Sequence, residues 1–86
     1  MVNILSLKKD LANRVKLRRK EQKISQKLLA EKSLVSLGSI KRFETSGEIS
    51  LNSLLKIAFV LGYEKDFNDL FAKKAYSSID EVINEQ

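Results

Sequence analysis

The chain contains no cysteine, no histidine and no proline, and only three glycines. Without cysteine or histidine there is no disulfide framework, no zinc finger and neither of the usual nucleophile and general-base side chains. The missing proline and scarce glycine argue against a turn-rich β protein and for helices. The longest apolar run, Ile57 to Leu61, falls far short of the roughly 20 residues a membrane span needs. No signal-peptide pattern opens the chain, so the expectation is a cytoplasmic protein without a membrane partner. Acidic residues are present, but no pair of them sits in a glycine-rich or metal-spaced motif, and there is no phosphate loop. Neither an enzyme nor a bound cofactor is therefore expected.

What the sequence does have is positive charge, unevenly placed. The net charge of +5 hides a gradient along the 86 residues. Residues 1–32 carry ten Lys/Arg against three acids, residues 33–62 three against two, and residues 63–86 three against six. A basic amino-terminal third points to a polyanion such as nucleic acid or an anionic membrane. The first helix lacks the Trp/Phe-rich face of an interfacial helix, which disfavours the membrane.

The apolar spacing predicts an all-α domain of five short helices followed by a tail. Leu7, Leu11 and Val15 recur at helical spacing, giving a helix over 6–22. Ser25 caps a second over 26–33 and Ser36 a third over 37–44. Thr45-Ser46-Gly47 reads as a loop with a left-handed glycine. Ser50 caps a fourth helix over 51–61, which Gly62 stops. A fifth covers 65–71, and Ser78 to Glu81 is a capping-box pattern for a terminal helix. A length near 86 residues buries roughly 60% of the unfolded surface, enough for one core. The expected core is Leu28, Leu29, Ile40, Phe43, Leu54, Leu55, Ile57 and Leu61. The division is a domain over 1–71 and a tail over 72–86, for which contact with a second copy or a partner and packing within its own chain are both open.

Helix 2, a break of about three residues and helix 3 have the spacing of a helix-turn-helix. The run Ser25-Gln26-Lys27-Leu28-Leu29-Ala30-Glu31, with Val35-Ser36, Ile40-Lys41-Arg42-Phe43-Glu44, Leu54-Leu55-Lys56-Ile57-Ala58 and Leu61-Gly62, resembles the Xre family, the Cro and phage-repressor type. The resemblance covers about residues 12–71. Ser36 to Glu44 and Gly47 to Leu51 also resemble small HipB-type antitoxins, often paired with a HipA-like kinase toxin.

The resemblance implies a five-helix, phage-repressor-like domain that binds double-stranded DNA as a homodimer, usually as a repressor. It places helix 3 in the major groove, with Ser36, Leu37, Gly38, Ser39, Lys41 and Arg42 at or near base edges. Arg42 is suited to a bidentate contact with guanine, and Lys41 to a base or a phosphate. Gln26 opens helix 2 against a phosphate, and the backbone of Thr45, Ser46 and Gly47 approaches another. Arg19 and Glu44 form a structural pair. The alternative is an antitoxin whose main role is to bind a toxin protein while repressing their shared promoter. This chain departs from the family at Leu34, where glycine is usual; a left-handed backbone would cost leucine about 1–2 kcal/mol. It departs again at Leu37-Gly38, which offer no hydrogen-bonding side chain.

Overall fold

The computed structural model describes residues 2–75, which form five helices. They are α1 (Ile4–Glu21), α2 (Gln26–Ser33), α3 (Leu37–Ser46), α4 (Leu51–Leu61) and α5 (Glu64–Asn68). The terminal helix expected from Ser78 lies outside the described residues.

Serine starts three of the helices in the same way. The Oγ of Ser25, Ser36 and Ser50 accepts from the amide three residues on, satisfying one orphan donor of each first turn. The α1 start is earlier than its apolar spacing suggests. Asn3 accepts from the Ser6 amide at 2.8 Å while Ser6 Oγ accepts from the Asn3 amide at 3.1 Å, a reciprocal cap that sets the helix going at Ile4. Gly47 and Gly62 end α3 and α4 in the left-handed region, at φ 82° and 83°. The expected loop at 45–47 is therefore corrected: Thr45 and Ser46 complete the last turn of α3, because only Gly47 leaves helical geometry. The segment expected to be helical over 65–71 ends at Asn68, and Phe71 has φ 61°.

Two apolar clusters hold the helices. Ile24, Leu29, Val35, Ile40, Ile57 and Leu61 join α2, α3 and α4. Ala12, Phe43 and Leu54 join α1, α3 and α4, and Phe67 of α5 packs on them. Burying each of the larger aliphatic or aromatic side chains contributes about 1.5–3 kcal/mol. Two expected core residues sit further out. Leu28 is on the solvent side of α2 and Leu55 is half-buried, since α4 turns Leu54, Ile57, Ala58 and Leu61 inward instead. Polar links fix the ends: Gln22 Nε2 donates to the Leu61 carbonyl at 2.7 Å, tying the end of α1 to the last turn of α4.

Candidate nucleic-acid interface

The turn between α2 and α3 is built around one strained residue. Leu34 is in the left-handed region (φ 60°, ψ 26°), and its amide donates to the Ala30 carbonyl at 2.9 Å. Buried Ser33 closes the last turn by donating to the Leu29 carbonyl and accepting from the Val35 amide. Leu34 is 83% exposed, so its side chain recovers almost no burial energy for the αL conformation. The strain reverses the chain abruptly, drops Val35 into the core and lets Ser36 start α3.

α3 then has two chemically distinct faces. Ile40 and Phe43 are buried, while Gly38, Lys41, Arg42 and Thr45 form an exposed stripe at i, i+3, i+4 and i+7. Lys41 and Arg42 make no ion pair with any described residue. Ser36 Oγ donates to Ser39 Oγ at 2.7 Å and accepts from the Ser39 amide. The two hydroxyls share one hydrogen bond, which leaves one O–H to donate outward. The amides of Leu37 and Gly38 have no intrahelical acceptor, so the positive end of α3 faces outward with them. A Cβ added at Gly38 would meet nothing within 4 Å. No packing within the described chain requires glycine there.

α3 is held at its angle by a buried polar network. Arg19 Nε donates to Glu44 Oε2 at 2.8 Å, and its Nη2 donates to Oε1 at 2.9 Å. Its Nη1 donates to the Ile24 carbonyl at 2.8 Å, and Gln26 Nε2 donates to Glu44 Oε1 at 3.0 Å. The Arg19 and Glu44 side chains are only 8% and 5% exposed. Burial pushes the Glu44 carboxyl up, but hydrogen bonds from Arg19 and Gln26 and the charges of Arg19 and Lys16 outweigh it and hold it below its usual 4.5. The Arg19 guanidinium and the Glu44 carboxylate together thus join the end of α1, the α1–α2 loop, the first residue of α2 and α3. Gln26 belongs to this network, with one amide N–H left to donate to a phosphate.

Thr45, Ser46 and Gly47, expected near a phosphate, hydrogen-bond within the last turns of α3. Thr45 Oγ1 donates to the Lys41 carbonyl and Ser46 Oγ to the Arg42 carbonyl. The Gly47 amide donates to the Phe43 carbonyl at 2.8 Å. A Cβ on Gly47 would come within 2.7 Å of Lys8 Cβ and 2.8 Å of its backbone carbon, so this glycine lets α1 and the end of α3 touch. A helix carboxyl end is also its negative pole, a poor neighbour for phosphate.

The surroundings of Arg42 are not evident from the sequence. Ser39, Arg42, Glu48, Ile49, Ser50 and Ser53 line a shallow polar groove of about 380 Å³. It brings the exposed face of α3 next to the amino end of α4, whose first amides are the chemistry of an anion site. The Ser50 cap is the local signal for that end, since a serine that starts a helix also marks where its free amides lie. Glu48 closes the rim: it is held below the usual carboxylate range by a 2.8 Å hydrogen bond from Lys8 Nζ and by the Lys8 charge, with Arg42 adding to the effect.

Two short helices packed together across a three-residue turn, with the second exposing a polar, cationic face, define a helix-turn-helix DNA-binding domain. The family model described as Helix-turn-helix matches residues 15–68, more than half of the chain, and the chain belongs to that family, of the Xre type. It is a DNA-binding helix-turn-helix regulator. Neither the curated proteins nor the solved structures yielded a match. Among the described residues no helix is long and apolar enough to cross a membrane.

Proposed function

We propose that this chain is a sequence-specific, dimeric repressor that inserts α3 into the major groove of double-stranded DNA. The observation that carries the reading is the exposed stripe of α3, with Gly38 in open space and Lys41 and Arg42 in no ion pair with a described residue. Arg42 reads a guanine by its O6 and N7, and Lys41 reaches a base or a phosphate. The amino end of α3, with Ser36, Leu37, Gly38 and Ser39, approaches the base edges, Leu37 packing on a thymine methyl. Gln26, at the amino end of α2, takes a phosphate and sets the register without reading sequence. A second phosphate is better served by the amino end of α4 than by Thr45, Ser46 and Gly47.

A second reading, a HipB-like antitoxin that neutralises a toxin protein while repressing its own promoter, is favoured by large apolar side chains exposed outside α3. Phe59 and Phe71 are largely exposed, as anchors of a protein-binding face would be. Selection from random duplexes tests the main reading. The expected product is an inverted repeat with half-sites about one helical turn apart. Enrichment of no sequence would overturn it, and enrichment of a single unrepeated site would remove the dimer.

A further inference from the structure

An apolar groove of about 450 Å³ runs between α1, α4 and α5, with no residue of α3 in its lining. Leu11, Val15 and Leu54 contribute to its floor, and Phe67 of α5 and Leu70 just beyond it to one wall. Leu7 lines it too, yet is more than half exposed, as is Leu70. The described residues leave this surface uncovered. Arg14, Arg18 and Asp66 are its charged groups. Arg18 Nε lies 3.1 Å from Glu21, but Arg14 makes no ion pair with any described residue.

We propose that the groove is the docking site of this chain's own carboxyl-terminal segment, with Ile79, Val82 and Ile83 entering it and the segment's acids meeting Arg14. Three features of the sequence and the groove fit together. The described chain ends at Ala75, five residues beyond Leu70, which is itself part of the groove wall. The four residues from there to Ile79 reach about 13 Å when extended. Ile79, Val82 and Ile83 have the i, i+3, i+4 spacing of one helix face behind a Ser78–Glu81 capping box. Residues 76–86 carry Asp80, Glu81 and Glu85 and no Lys or Arg, so their charge is opposite to that of Arg14 at the groove. Docking would cover apolar surface that a small domain otherwise leaves wet.

The absence of cysteine makes a clean test possible, because Asn84→Cys supplies a single attachment point for a nitroxide in the full chain. The amide signals of Leu11, Val15 and Leu54 are then followed by NMR. The expected result is that they lose most of their intensity to paramagnetic broadening and recover it when Val82→Asp is added. Arg14→Glu should restore part of the intensity as well. Unbroadened groove signals, or broadening that persists in the Val82→Asp protein, would overturn the proposal. A mixture of isotope-labelled chains with unlabelled, nitroxide-bearing chains identifies the source. Broadening of the labelled chains in that mixture would mean that a second copy's tail fills the groove, and would overturn docking within one chain.

Discussion

Gly38 and Leu34 place opposite demands on the same turn and helix. Gly38 sits in the first turn of α3, and a methyl group there would find nothing within 4 Å. Glycine in a helix costs about 0.5–1 kcal/mol relative to alanine. If the glycine serves close approach to DNA, Gly38→Ala raises stability and lowers function together. The expected outcome is a higher Tm and roughly tenfold weaker operator binding, about 1.4 kcal/mol; an alanine protein that is more stable and binds equally well would free Gly38 of any part in recognition. Leu34 is the converse case. Its left-handed backbone costs about 1–2 kcal/mol, partly offset in a glycine variant by the greater freedom of the unfolded chain. Leu34→Gly should therefore stabilise the domain by up to about 1 kcal/mol, a Tm gain of about 4–8 °C at this chain length. A fall in Tm on thermal unfolding would show that the exposed leucine contributes packing the structure does not reveal.

At the scale of the helices, the Arg19–Glu44–Gln26 network decides how α3 is presented. Removing one member of a buried ion pair strands the other charge and costs about 3–5 kcal/mol. Glu44→Ala should lower the Tm far more than Glu48→Ala, whose carboxylate is exposed; equal small losses would mean that the network does not hold α3. The pH dependence has a definite sign. The folded protein holds the Glu44 carboxyl below 4.5, so the stability it contributes is present above the unfolded-state value and is lost as pH falls through the folded one. The Tm gap between the native chain and Glu44→Gln should narrow on acidification from about pH 6 to about pH 3. A gap that stayed constant would contradict the linkage.

These elements also show where sequence reasoning reaches. α2 and α4 are legible to the residue because a serine cap and the end of an apolar repeat are both local signals. The end of α3 is harder: Thr45 and Ser46 look like loop formers, yet their hydroxyls fold back onto the Lys41 and Arg42 carbonyls and only Gly47 breaks the helix. The Asn3 cap is hard to see because its partner is the short side chain of Ser6 rather than a Glu or Gln. The exposure of Leu28 and the commitment of Gln26 to Glu44 depend on how the helices cross, which no single-element pattern encodes. For the same reason the stripe on α3 follows from the positions of Ile40 and Phe43, whereas its meeting with Ser50 and Ser53 does not.

At the scale of the whole molecule, the proposed dimer makes charge the main control on affinity. A dimer that neutralises about six to ten phosphates should lose about 10³–10⁵-fold in affinity between roughly 50 and 200 mM salt. Titrations at several salt concentrations check this, and an almost flat dependence would remove the electrostatic part of the account. The central claim, that the exposed face of α3 reads sequence while α2 only positions the domain, is tested most directly by comparing Arg42→Ala with Gln26→Ala on single-base variants of the selected operator. Arg42→Ala should cost about 1–3 kcal/mol on the preferred site and flatten the preference at one base pair of each half-site. Gln26→Ala should weaken all sequences by a similar factor and keep the preference profile, with some loss of Tm from its bond to Glu44. An Arg42→Ala protein that retains the complete preference profile would contradict the claim.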